Sequence, residues 1–383
     1  MRFPEFSGEW ESIPISTIAD IIGGGTPDTS VDEYWGGNIQ WFTPSEIGKE
    51  KYAYLSDRTI TEAGLKNSSA KLLPQGTVLL STRATIGECS IATAECTTNQ
   101  GFQSLVAKEN NVSSEFLYYI VAKIKREMLR RSCGSTFLEI SANELKKIHA
   151  NIPSKAEQEK LVSLLSLIDQ RIETHKKIIE DLKKLKDAIT HFHFRNELTH
   201  NPMTYIGQYI TQVSRRKKDT KIDRVLSVSN KYGFVDQDEQ FEDRVVASID
   251  TSNYKVVQKG DFAYNPARIN VGSVAILQEF ENGIVSPMYV CFTTNKGLLP
   301  AYFELYLSTN IFKHEMYKRL EGSVRLCLTY ESLCNIKIAL PEFSVQTDLA
   351  SKVSALLTKI KNEERLLCLY HNFKQYLLTQ MFI

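Results

Sequence analysis

The sequence predicts an α+β protein: two copies of a mixed α/β domain, separated by a pair of long coiled-coil helices that run antiparallel if the halves share a pseudo-twofold axis. Three observations carry this. After Ile152-Pro153, apolar residues fall at Leu161, Leu165, Ile168, Ile172, Ile179, Leu182 and Ile189, the steps of a heptad seam. From Leu340-Pro341 the seam recurs as Leu349, Val353, Leu356, Ile360, Leu367, Tyr370 and Leu377, every position 188 residues on. Even the polar interruption repeats, His175 in the first copy and Glu363 in the second. The segments before the two seams carry similar landmarks in the same order, and a repeat this long means duplicated domains rather than a solenoid.

Within the first copy, Leu73-Pro74-Gln75-Gly76 leads into a β-rich run, Thr77–Ser81. Thr82-Arg83 and Ile86-Gly87 follow. Ser113 caps a helix through Arg130 that buries Leu117, Ile120, Val121, Ile124 and Met128. Gly134-Ser135-Thr136 ends it, and a short helix, Ala142–Lys147, leads to Ile148–Pro153. In the second copy, Val257–Phe262, Ala267-Arg268 with Val271-Gly272, the β-rich run Ser273–Leu277, a helix over Pro300–Leu320, Gly322-Ser323-Val324 and a short helix Tyr330–Asn335 stand in the same order. The boundaries this gives are a first domain over 1–152, a central helix over 153–197, a second domain over 198–340 and a C-terminal helix over 341–383. An isolated seam of this length is unstable in water, and the simplest partner for each helix is the other. The pair then acts as a spacer between the domains.

Composition narrows the chemistry. The chain has 383 residues with 42% hydrophobic content and a net charge of +1, from 46 basic and 45 acidic residues. No global field announces a nucleic-acid partner, so such a partner is met by local patches. Seven cysteines form no CxxC pair and no Cys/His cluster at zinc spacing, which reads as reduced cytosolic thiols. MRFPEFSGEW has no apolar leader and no run of eighteen apolar residues follows, so a cytoplasmic protein is expected. The histidines around His191 point to different sides of a helix, and no metal is expected.

In this order, several marks resemble the specificity subunits of type I restriction-modification systems. They are Arg2-Phe3-Pro4-Glu5-Phe6 with Trp10, the Ile22-Gly23-Gly24-Gly25-Thr26-Pro27 turn, Gln75-Gly76, Arg83 with Gly87, Gly134-Ser135-Thr136, and Ile152-Pro153 leading through Gln158 into the helix. Lys259-Gly260, Asn265-Pro266-Ala267-Arg268, Val271-Gly272, Gly322-Ser323 and Leu340-Pro341 through Gln346 repeat them. The resemblance covers the whole chain. It implies two target-recognition domains, two spacer helices and no catalysis by the chain itself. Each domain would read one half of a split, asymmetric sequence in double-stranded DNA. Modification subunits, methylating one adenine per half-site with S-adenosylmethionine, would dock on the helices, and restriction subunits using ATP would join them. The chain itself is then expected to hold no cofactor.

The residues offer candidates for the DNA contact, each with a plainer alternative. Thr26 lies in a glycine turn that lacks the spacing and lysine of a phosphate-binding loop; it is either a structural turn or a backbone approach to a phosphate. Arg83 and Arg268 hold equivalent places after a strand, where a guanidinium fork suits guanine or phosphate, or a structural ion pair. Ser135, Thr136, Ser323 and Arg325 lie in small polar loops behind helix ends rich in base, namely Arg126, Arg130 and Arg131, and Lys318 and Arg319. Arg215, Arg216, Lys217 and Lys218 form the densest basic run, replacing the glycine turn in the second copy. Trp35, Trp41 and Tyr232 lie in turn-rich segments as stacking candidates. Asn265-Pro266-Ala267-Arg268 resembles the catalytic motif of amino-methyltransferases but lacks its second proline and its aromatic. A stand-alone methyltransferase or nuclease, and a coiled-coil scaffold for proteins, are the competing readings.

Overall fold

The computed structural model describes residues 1–134, 138–217, 222–237, 251–322 and 325–382. The repeat is visible in its helix boundaries: the central helix runs Lys155–His200 and the C-terminal helix Phe343–Met381. Two compact units result, Met1–Lys177 with Glu364–Ile383 (unit 1) and Ile178–Glu363 (unit 2). Each long helix contributes one stretch to each unit. In unit 1 the Lys374 ammonium meets the Asp169 carboxylate at 2.6 Å and the rings of Tyr370 and His175 stack with centroids 5.2 Å apart. One number rises as the other falls, so the helices run antiparallel. The seam is buried as its period requires: Leu161, Leu165, Ile168 and Ile172 join Leu377, Leu378 and Met381 in one core. Of the two polar seam positions, His175 stacks on Tyr370, and Glu363, 4% exposed, pairs with Lys359 at 2.8 Å.

Unit 1 holds a five-stranded sheet in the order Ala19–Gly23, Gln103–Ala107, Val78–Leu80, Cys89–Ala92, Tyr52–Ala53. The run Val78-Leu79-Leu80 forms a central strand because it is apolar on both faces and entered through Gly76, whose φ of 86° favours glycine. The helix Ser114–Arg131 starts where the Ser113 hydroxyl accepts the Phe116 amide hydrogen. It lays Leu117, Ile120, Val121, Ile124 and Met128 into the core that also takes the seam of the long helices. A smaller sheet, Arg58–Ile60 with Trp35–Phe42 and Cys96–Thr98, carries its own apolar clusters.

Unit 2 has a four-stranded sheet in the order Ile210–Val213, Val290–Thr294, Phe262–Tyr264, Val274–Ile276 and two antiparallel pairs, the hairpin Leu226–Ser229 with Gly233–Asp236 and the non-consecutive Lys255–Gln258 with Asn282–Val285. The single helix expected over Pro300–Leu320 is two, Pro300–Ser308 and Asn310–Tyr317. Thr309 separates them: it is extended, and its hydroxyl accepts the Phe312 amide hydrogen at 3.2 Å, so a new helix starts there.

Two equivalent glutamines tie each long helix to its domain. Gln158 donates to the carbonyls of Asn111 and Pro153 at 3.0 and 3.1 Å. Gln346 donates to Gly297 and Pro341 and accepts from the Leu299 amide, at 2.8, 2.9 and 2.8 Å. The far ends of the helices are seated by equivalent phenylalanines. Phe194 packs on Tyr302 and Tyr306 in unit 2, and Phe382 on Phe116 and Trp10 in unit 1. A helix that begins beside one domain is thus finished by the core of the other.

Candidate nucleic-acid interface

In unit 1 four segments distant in sequence form one edge. The Gly25 amide donates to the Thr98 carbonyl at 2.8 Å, and the Thr26 hydroxyl meets Gln100 Oε1. A Cβ on Gly24 would stand 2.0 Å from the Asn99 carbonyl oxygen and one on Gly25 2.3 Å from the Ala70 nitrogen, so this turn requires glycine for close packing. Thr82 bonds back to the Gly101 carbonyl by its amide, 2.9 Å, and its hydroxyl, 3.2 Å. The Thr82 carbonyl takes the Ile140 amide at 3.1 Å, and Arg83 bridges to Glu139. Thr26, Arg83 and the hairpin Cys133–Glu139 around the Gly134 loop therefore lie side by side. Ser135 and Thr136 are outside the described residues.

The turn that carries Arg83 is strained. Ala84 has a φ of 62°, the one positive value of a non-glycine among the described residues, and the Thr85 amide reaches the Arg83 carbonyl at 2.7 Å. That is a three-residue γ-turn, a costly conformation for an alanine. It leaves Arg83, Ala84 and Thr85 exposed. Among the described residues the Arg83 guanidinium has only a loose neighbour in Glu139, at 3.9 Å with both side chains about half exposed; such a pair is worth at most about 1 kcal/mol.

Unit 2 repeats this framework with different side chains. The hairpin Glu321–Cys327 is the counterpart of Cys133–Glu139, and the Leu328 amide donates to the Pro266 carbonyl as Ile140 does to Thr82. Gly322 requires glycine here, with a φ of 117° and the Arg325 carbonyl 2.4 Å from any added Cβ. Arg268 is exposed and has no side-chain partner among the described residues; Arg325 is exposed at the hairpin tip. The Asn265 side chain accepts the Ala267 amide hydrogen at 3.0 Å, so it shapes the turn that presents Arg268. Ser323 lies outside the described residues.

The basic run is half spent internally. Arg215 pairs with Asp261, which is 5% exposed and also accepts from the Gln258 amide. Lys217 bonds Asp223 at 3.0 Å and Thr251 at 3.3 Å. Arg216 is exposed, and Lys218 is outside the described residues. The basic residues at the two helix ends each pair with a glutamate three or four residues back, in the same pattern twice: Arg130 and Arg131 on Glu127, Lys318 and Arg319 on Glu315; Arg131 also reaches Glu144 at 3.3 Å. Hydrogen bonds from these partners hold both glutamates below the usual carboxylate range. Trp41 is 5% exposed and donates to the Gly25 carbonyl at 2.9 Å, so it supports the glycine turn from inside; Tyr232 is 67% exposed.

Residues missed in the sequence are Ala84, the Asn99-Gln100-Gly101 loop and Arg58. The Asn-Gln-Gly string after a β-rich run is a turn signal that could have found the second. Cys89, Cys96 and Cys291 are buried thiols, Cys89 pushed up to about 12 chiefly by burial. Among the described residues no group of His, Cys, Asp and Glu could hold a metal ion, and no helix is long and apolar enough to cross a membrane.

Residues 7–184 match the family model described as type I restriction modification DNA specificity domain. The chain is 42% identical over 181 residues to the MjaIX specificity subunit of Methanocaldococcus jannaschii, covering 46% of this chain and 42% of that protein. The EcoR124I/EcoR124II specificity subunit of Escherichia coli is 26% identical over 176 residues, 44% of this chain and 43% of that one. The match thus spans less than half the length of these curated relatives. The crystal structure of the type I restriction-modification S subunit from M. genitalium shares the fold over 100% of this chain and 99% of its own, with a TM-score of 0.60 at 16% identity. A chain from the structural study of complex assembly and conformational transition of the type I R-M system matches over 99% and 98%, with a TM-score of 0.57 at 12% identity. Residues 7–184 thus carry the match to a type I restriction modification DNA specificity domain, and the chain as a whole shares its fold with type I S subunits.

Proposed function

We propose that this chain is the DNA-recognition subunit of a type I restriction-modification complex, with unit 1 and unit 2 each reading one half of a bipartite, asymmetric target. The observation that carries this reading is the framework built twice and dressed differently: Arg83 beside the Cys133–Glu139 hairpin, Arg268 beside the Glu321–Cys327 hairpin. One scaffold with unlike exposed side chains is what two unlike half-sites need. Thr26, Ser135, Thr136, Ser323, Arg325, and Arg216 with Lys218 complete the proposed contact; Arg215 and Lys217 support it from within. The long helices serve as spacers and as the docking face for methyltransferase subunits carrying S-adenosylmethionine, joined by ATP-driven restriction subunits. In this reading the chain itself performs no chemistry: Asn265 forms a turn and faces no base.

The test is fluorescence anisotropy of labelled duplex DNA with the full chain, alone and with its modification subunits, across a salt series. The logarithm of affinity is expected to fall linearly with the logarithm of salt. Salt-insensitive binding, or none even with the modification subunits, favours the scaffold; methyl transfer from S-adenosylmethionine by the chain alone makes it an enzyme.

A further inference from the structure

Unit 1 carries a second presented arginine. Arg58 opens the strand Arg58–Ile60, pairs with Trp41 across the ladder and is exposed. Its guanidinium carbon lies 3.5 Å from the centroid of the Trp35 ring, a face-on stack, and 5.7 Å from that of Trp41. The two indoles meet edge to face at 5.1 Å. Stacking occupies the flat face of a guanidinium and leaves its in-plane N–H donors for another partner. Among the described residues nothing takes a hydrogen bond or an ion pair from them.

The plane of that fork is fixed by the edge already described. Trp35 donates to the Asp28 carbonyl at 3.1 Å and Trp41 to the Gly25 carbonyl at 2.9 Å, clamping both ends of the turn that holds Thr26. A long side chain is thereby held in one orientation before any ligand arrives, which lowers the entropic cost of a directional contact. The neighbourhood selects the ligand. Trp35 is hydrogen-bonded to Asp28, and Asp32 and Glu33 stand in the turn just before it; their charge disfavours a phosphate. A base edge carries no net charge, and the fork matches O6 and N7 of guanine.

We propose that Arg58 is a base-reading residue of unit 1, its fork presented by Trp35 to the major-groove edge of a guanine in one half-site. This rests on the DNA-recognition reading above. The test is to express the full chain with the modification subunits of its source genome and to map methylated adenines by single-molecule sequencing, for wild type, Arg58→Ala and Arg58→Gln. Wild type should yield a bipartite motif. Arg58→Ala should relax one guanine position of one half-site, lowering discrimination there by roughly 5- to 150-fold. Arg58→Gln, which keeps a planar amide over Trp35, should shift that position toward adenine. An unchanged motif in both variants overturns the assignment. So does a uniform loss of methylation with the motif intact and the salt slope of binding reduced by about one, which marks a phosphate contact. If wild type directs no methylation and binds no DNA, the recognition reading itself fails, a result distinct from either.

Discussion

Gln346 is fully buried, and its amide satisfies three backbone groups, the Leu299 N–H and the carbonyls of Gly297 and Pro341. Replacing it with alanine leaves those groups without partners in a site closed to water. A loss of about 2–3 kcal/mol is expected, read as a lowered denaturant midpoint together with faster hydrogen exchange at the Leu299 amide. A loss below about 0.5 kcal/mol would mean that water replaces the side chain. Gln158 was readable in the sequence as a repeated mark, though not its task, because its partner Asn111 lies 47 residues away in the chain. The same holds for Arg215: four consecutive basic residues stand out, while the neutralising Asp261, 46 residues on, does not. Ala84 gave no signal at all, since alanine has no preference for positive φ and only the surrounding hydrogen bonds impose it.

Among the elements, the heptad seam was legible in full. Its period of three and four survives translation into structure because apolar burial along a helix is set by local geometry alone. The break at Thr309 was available in Ser308-Thr309-Asn310, three residues that favour caps, yet apolar spacing on both sides favoured continuity. In the unit-2 half of the central helix, His193 lies 3.2 Å from the Tyr302 hydroxyl and 3.8 Å from the Glu197 carboxylate. Burial holds its pKa below the ordinary 6.5, against the pull of Glu197 and Asp348. The unfolded chain therefore binds the proton more readily, and stability falls as pH drops below about 6.5, levelling beneath the depressed folded value. Thermal melts of the full chain between pH 7.5 and 5 should show this slope, and His193→Phe should lessen it. An identical slope in the variant would exclude His193 as its source.

For the whole molecule, the proposed reading makes the two units a separable pair of readers. Arg83→Ala should disturb recognition of one half-site and Arg268→Ala the other, each leaving the opposite half's base preferences unchanged in a methylation map. Equal weakening of both halves by either change would contradict the two-reader arrangement. The duplication could be recognised from one chain because an offset of 188 residues recurs at the seam and from Gly134 to Gly322. The exchange of helix ends between the units was not legible, as apolar periodicity does not say whose core receives a given face.

That exchange imposes an order of events on synthesis. Unit 2 is continuous in the chain, Ile178–Glu363, whereas unit 1 needs Glu364–Phe382 to complete its core. At ribosomal speeds of about 5–20 residues per second, the domain made first waits on the order of 10–40 s for the stretch that carries Phe382. During that interval the apolar faces of Phe116, Leu161 and Leu165 stand uncovered, open to chaperones and proteases. Of the two units, the one begun first is finished last.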